Sequence, residues 1–298
     1  MTQIAALPNT TISTFPTPYW TVPKVMIERL TSKQANEVLA FLSQRPIHTV
    51  CLAGFVRDNG LESPLNRGSF YGYRNEAGEL EGVALIGHAT LLETRTDRAL
   101  EAFAQKAQQC RNAFMIMGEQ ERVAEFWAYY SAEGQQMRLA CRELLLAKNE
   151  PAELCQEVLG LRLATLDDLE LTMPVHAVMA EAESGINPLE TDPEGFRKRC
   201  ARRIEQGRTW VLMKDGALVF KADIQSETPD ITYLEGVWVN PQLRGRDIGL
   251  TCLKQLEQTL LEHTSSVCLL VNEQNQEAQT FYRRAGYSLH AHYDTIFL

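Results

Sequence analysis

The chain has 298 residues, longer than a usual single domain, so one large or two ordinary domains are expected. Hydrophobic residues make up 45% and charged ones 22%, and the formal charge is −9. That is the balance of a soluble globular protein, and its sign argues against general nucleic-acid binding or docking on an anionic membrane.

No apolar run approaches the ~18–20 residues that span a bilayer. The start lacks the basic and apolar pattern of a signal peptide. Seven cysteines are scattered without CxxC spacing. Reduced thiols in a cytoplasmic protein are the inference, with no disulfide framework and no metal site.

Residues 1–24 hold Pro8, Pro16, Pro18 and Pro23 and almost no charge; an extended arm is expected. Met26–Leu30 reads as a strand and Gln34–Leu42 as a helix capped by Ser32. Ser69–Tyr73 and Leu80–His88 form a hairpin around Asn75–Gly78. A helix over Asp97–Gln109 follows, then a strand over Phe114–Met117, a helix over Arg122–Tyr130 and a strand over Arg138–Leu146.

Glu150-Pro151 and the piece Ala152–Leu159 mark a join. Leu161–Leu166 is a strand, and Asp167-Asp168 opens a helix through about Met179. Glu181–Gly195 is acidic and loop-like, and Phe196–Gln206 is helical with a basic cluster of Arg197, Lys198, Arg199, Arg202, Arg203 and Arg208. That cluster reads as a solvated face or as a recruiter of acidic groups. Trp210–Met213 and Ala217–Asp223 pair across Lys214-Asp215-Gly216. A last hairpin spans Tyr287–His292 and Thr295–Leu298. The two halves share one element order, so an internal duplication is expected. The division falls into an arm (1–24), a degenerate half (25–150) and a catalytic half (151–298).

The most informative stretch is Ile231–Leu261. Leu234, Val237, Trp238 and Val239 form a strand ending at Asn240-Pro241. Arg244-Gly245-Arg246-Asp247-Ile248-Gly249 follows, and then Cys252, Leu253, Leu256 and Leu260 keep a helical period. A turn of this kind leaves main-chain N–H groups free at a helix start, which suits a phosphate or diphosphate. In the first half the equivalent place, Leu91–Asp97, contains no glycine. That half is expected to shape the structure or the substrate cleft.

Further on, Val267–Val271 precedes Asn275, Ala278, Tyr282, Gly286 and Tyr287. Val239-Asn240-Pro241, Arg244 to Gly249 and Asn275 to Tyr287 together resemble the V-x-P, R/Q-x-x-G-x-G/A and N-x-x-A-x-x-x-Y-x-x-x-G-F/Y motifs of the GNAT superfamily. The resemblance covers roughly Leu161–Leu298. It implies an α/β (α+β) fold of two GNAT-like domains, each a mixed, mostly antiparallel sheet flanked by helices. It also implies acetyl-CoA as co-substrate and a small-molecule or peptide amine as acceptor, with a homodimer left open.

By that resemblance the carrier touches Val237, Trp238, Val239, Arg244, Gly245, Arg246, Asp247, Ile248, Gly249, Asn275 and Tyr282. Asn272 is a further neighbour by the same resemblance. Tyr282 is the implied proton donor, with core packing as its alternative; Asn275 as a helix cap would look the same. Strand alternation puts Glu235 on the face of Val237, where a carboxylate can take the amine proton; a salt-bridged strand glutamate is the other reading. Asp223 and Glu227 are weaker substitutes, and the Val239 N–H is a candidate oxyanion donor. One departure stands out. Asp247 replaces a usual glycine, and its carboxylate either turns outward, caps the helix or impairs the carrier. The rival to an N-acetyltransferase is a binding or scaffold protein with the same fold.

Overall fold

The computed structural model describes residues 26–152 and 157–298. The expected arm over 1–24 and part of the expected join lie outside the described residues. The first half runs β1 (Met26–Arg29), α1 (Ala35–Leu42), α2 (Pro46–Asn59), β2 (Gly68–Arg74), β3 (Leu80–Gly87), β4 (Ala89–Thr94), α3 (Asp97–Ala107), β5 (Met115–Glu119), α4 (Gln120–Tyr130) and β6 (Leu139–Lys148). The second runs β7 (Leu161–Leu163), α5 (Leu169–Ser184), α6 (Pro188–Thr191), α7 (Pro193–Glu205), β8 (Thr209–Lys214), β9 (Ala217–Glu227), β10 (Ile231–Val239), α8 (Ile248–Leu261), β11 (Ser266–Asn272), α9 (Gln276–Arg284) and β12 (Ser288–Phe297). No helix among the described residues is long and apolar enough to cross a membrane.

The twelve strands of the described residues form one sheet, ordered β1-β2-β3-β4-β5-β12-β6-β11-β10-β9-β8-β7. Two neighbouring pairs are parallel, β4 with β5 and β10 with β11. Read inward from either edge, the sheet gives five strands of one half and then a crossed pair. There β12 of the second half lies between β5 and β6, and β6 of the first lies between β12 and β11. β6 pairs with β11 over Glu143–Lys148 and with β12 over Leu139–Ala147. The exchange covers edges that two separate sheets would have to protect.

This arrangement corrects the expected last hairpin. Ser288–Phe297 is a single strand with one irregularity between Leu289 and Ala291, because its partners come from the other half. The acidic segment expected as a loop is largely helical. α5 continues to Ser184 and stops at Gly185, at φ +71, while Asn187 and Asp192 accept from the Leu189 and Gly195 N–H groups and cap the next two helices.

Two elements were not expected. β4 occupies most of the stretch read as a turn, and α2 has buried residues at Thr49, Val50, Leu52, Ala53, Gly54 and Val56. α2 is apolar over most of its surface because it packs across the second half. Gly54 leaves no room for a Cβ against Ser226 Oγ, which donates to the Val50 carbonyl at 3.1 Å. Arg208 of the second half pairs with Asp58 at 2.7 Å, and Arg202 donates to Asn59 Oδ1 at 2.8 Å. A buried ion pair ties the halves as well. Lys148 Nζ on β6 meets Glu257 Oε2 on α8 at 2.7 Å and donates to the Ala285 carbonyl at the same distance.

Candidate active site

β10 pairs with β11 only over Ile231–Leu234, opposite Ser266–Leu269. Beyond Leu234 it stays on β9 alone, as far as Val239 opposite Phe220. The main-chain edge of residues 235–239 that faces β11 therefore has no ladder partner, and a wedge opens between the strands. A bulge aims the strand away. Glu235 faces Asp223 and Trp238 faces Lys221, so Gly236 and Val237 share one opposing position. Gly236 has φ +61, and a Cβ there would stand 2.6 Å from Asp223 Oδ2 and 2.9 Å from Lys221 Nζ. Glycine is needed for the conformation and for the space.

The bulge overturns the expectation that Glu235 and Val237 share a face. Val237 and Val239 pack against the cluster that holds Leu253 and Leu256 of α8, whereas Trp238 packs against the one that holds Cys200 and Ile204 of α7. Glu235 points to the α7 side, with Arg203 Nη1 at 3.5 Å, and is 42% exposed. A reachable carboxylate thus stands beside the open strand edge.

A buried charged network underlies the bulge. Lys221 and Asp223 are fully buried and paired with each other. Thr209 Oγ1 donates to Asp223 Oδ1 at 2.8 Å, with His176 Nδ1 at 3.5 Å and Arg203 Nη1 at 3.7 Å from Oδ2. Burial alone would raise the Asp223 carboxyl, but Lys221, then His176 and Arg203, hold it below its ordinary value. Burial, then the Lys221 charge, push His176 down to about 3, so its imidazole is neutral at pH 7. Asp223, read as a substitute base, is committed to this network and out of reach of an amine. The alternation Lys221-Ala222-Asp223 in an apolar strand was the only signal in the sequence for it.

After β10, Asn240 caps a short turn at Pro241–Leu243. Gly245 follows at φ +73 and Asp247 at φ 57. Among the described residues the N–H groups of Gly245, Arg246 and Asp247 donate to no backbone acceptor, and those opening α8 have none within the helix. Gly249 sits so close to Val239 Cγ2 that a Cβ would collide, which brings the helix start against the strand. Asp247 resolves in the outward sense. It makes no side-chain cap, and its Oδ1 accepts from Arg284 Nη2 at 2.7 Å.

Arg284 belongs to α9, so this pair docks α9 on the turn. Tyr282 of α9 is buried, edge-on to Phe281 and Tyr287 with ring centres 5.4 and 5.8 Å away. Burial, then Glu257, push its phenol well above the ordinary tyrosine value. Asn275 is the cap of α9, its Oδ1 accepting from the Ala278 N–H at 3.0 Å, and Asn272 Oδ1 accepts from the Gln274 N–H at 2.8 Å.

The basic helix is mostly the solvated face. Lys198 pairs with Glu194 at 2.7 Å, Arg199 with Asp192 at 2.8 Å and Arg197 with Glu170, while Arg203 turns inward. Sequence reasoning missed two carboxylates near Glu235. Glu143 of β6 accepts from Thr295 Oγ1 at 2.6 Å, and its carboxyl is raised by burial and then by Glu235. Crowding by protein, then Glu235 and Glu143, push Glu183 at the end of α5 up to about 8. No spacing in the sequence joins these three: Glu183 and Glu235 lie on separate elements of the second half, and Glu143 arrives from the first half through the strand exchange.

Residues 175–287 match the acetyltransferase (GNAT) family model. No curated protein matches the chain in sequence. Among solved structures, a Drosophila protein is 12% identical with TM-score 0.69, covering 92% of this chain and 98% of its own. A tandem GNAT protein from the clavulanic acid biosynthesis pathway is 12% identical with TM-score 0.59, covering 92% and 98%. A GCN5-related N-acetyltransferase from Sphaerobacter thermophilus is 15% identical with TM-score 0.56, covering 93% and 96%. At such identities the likeness is one of fold. The chain has a tandem GNAT fold, and within it residues 175–287 are the part that the GNAT acetyltransferase family model matches.

Proposed function

We propose that the second half, residues 151–298, transfers an acetyl group from acetyl-CoA to a primary amine, and that the first half, 25–150, is a degenerate copy without turnover. The observation that carries this reading is the wedge between β10 and β11, which ends at a turn with free N–H groups. The donor set fits a diphosphate: Gly245, Arg246, Asp247, Ile248 and Gly249 offer main-chain N–H groups, and Arg244 and Arg246 add charge. Asp247, the residue that favoured a non-catalytic reading, gives its carboxylate to Arg284 instead.

Acetyl-CoA would supply a thioester at the open edge of β10, where the main-chain groups of Val237 and the Val239 N–H face away from β9 and can bind an amide-bearing arm. The Val239 N–H is the candidate donor to the carbonyl oxygen as charge develops there. Glu235 takes a proton from the attacking amine, directly or through a water. As nitrogen bonds to the carbonyl carbon, the carbon–sulfur bond breaks and the sulfur leaves with the electron pair. Tyr282 returns a proton to that sulfur; its raised pKa keeps the phenol protonated at neutral pH. Asn275 serves as the cap that sets the start of this helix.

The test is thermal denaturation with acetyl-CoA followed by turnover. Saturation at about 100 times Kd should add about 2.7 kcal/mol of stability. Tyr282→Phe should keep that stabilisation and lose about 100-fold in turnover. Absence of stabilisation in the wild type would sink the reading.

A further inference from the structure

The first half has a wedge of its own. β4 pairs with β5 over Ala89–Leu91 opposite Met115–Met117 and then stops, while β4 runs on to Thr94 and β5 to Glu119. The gap opens into a small cleft of about 50 Å3, room for more than one water-sized group. Its floor is apolar, with Leu91, Met117 and Leu145.

Two independent features mark the occupant. The first is Thr94, which lines the cleft and is only 8% exposed, and whose Oγ1 has no hydrogen-bond partner. Such a group is costly to bury unless something meets it. The second is the charge balance. One guanidinium, Arg45, is shared by two carboxylates, Glu93 at 3.2 Å and Glu119 at 2.7 Å. Arg122 also reaches the cleft, but Asp97 at 2.9 Å and Glu125 at 2.8 Å engage it. His48, beside Glu119 at 3.5 Å, is neutral at pH 7 because burial pushes it down to about 4. Within the cleft two carboxylates thus share one guanidinium, and the other guanidinium is held from outside.

We propose that the cleft between β4 and β5 binds a small primary amine, its ammonium received by Glu93, Glu119 and the Thr94 hydroxyl, its apolar body on Leu91 and Met117. This is a binding site and not a second transfer site. The turn after β4 has no glycine, Thr96 Oγ1 is spent on the Ala99 N–H at 3.3 Å, and Asp97 occupies the helix start where a diphosphate would lie. The cleft also touches Tyr233, Leu270 and Tyr293 of the second half, so its occupant contacts both copies of the fold.

Calorimetric titration of the full chain with butylamine, 1-butanol and butyrate tests this. Butylamine should bind, and the alcohol and the acid should not. Glu93→Gln should weaken butylamine about tenfold and Thr94→Val severalfold; the second change is isosteric and keeps the test readable if the first unfolds the protein. Glu235→Gln should leave the titration unchanged, which separates this cleft from the candidate active site. The proposal is overturned if butylamine gives no binding at millimolar concentration, if butyrate binds instead, or if Glu235→Gln abolishes binding while Glu93→Gln does not.

Discussion

The two wedges of this molecule share a topology and differ in what ends them. In each half a parallel pair separates, after Leu91 and Met117 in one and after Leu234 and Leu269 in the other. In the second half the departing strand carries a bulge at Gly236 and runs into a turn with unpaired N–H groups at Gly245, Arg246 and Asp247. In the first, β4 passes to a helix whose start is closed by Thr96 and Asp97. The opening therefore comes from the fold, which any copy inherits. The exposed N–H groups come from a few residues of one turn, and the first half has no such turn after β4.

Three substitutions probe the comparison. The largest effect is expected where the halves interlock. Lys148→Met leaves Glu257 unpaired at full burial, since the two side chains are 3% and 0% exposed, and should cost about 3–5 kcal/mol. Urea unfolding would show it as a lower midpoint, with both halves lost in one transition; two separate transitions would break the picture of mutual completion. Next is Gly236→Ala, which sets a Cβ 2.6 Å from Asp223 Oδ2 at positive φ. A loss of about 1–3 kcal/mol is expected, with at least a tenfold fall in acetyl transfer and no effect on butylamine binding in the other wedge. The smallest is Asp247→Gly. The Arg284 pair it removes is more than half exposed, so stability should change by less than about 1 kcal/mol. Acetyl-CoA affinity, read by titration, should rise severalfold as a negative charge leaves the cradle. A fall would mean that the Arg284 contact positions the turn.

Much of the second half could be read from the chain itself. Val239-Asn240-Pro241, the glycines at 245 and 249, and the run from Asn275 to Tyr287 are local signals whose meaning does not depend on distant residues. The face of Glu235 was misread because a bulge inverts strand alternation, and only Gly236 hinted at one. The role of Asp247 was undecidable locally, since its partner Arg284 lies on another helix. α2 escaped notice because a helix buried on several sides lacks a one-sided apolar stripe. The final strand was split into a hairpin because nothing nearby shows that its partner is β6.

That last arrangement has a consequence for biogenesis. The first five strands emerge long before residues 288–297, which must slot between β5 and β6. Until then the early sheet offers an unpaired margin at β5, and the nascent half is an unfinished product. Shortening the chain before residue 288 would damage the region made first, and quality-control proteases would see one defect instead of two.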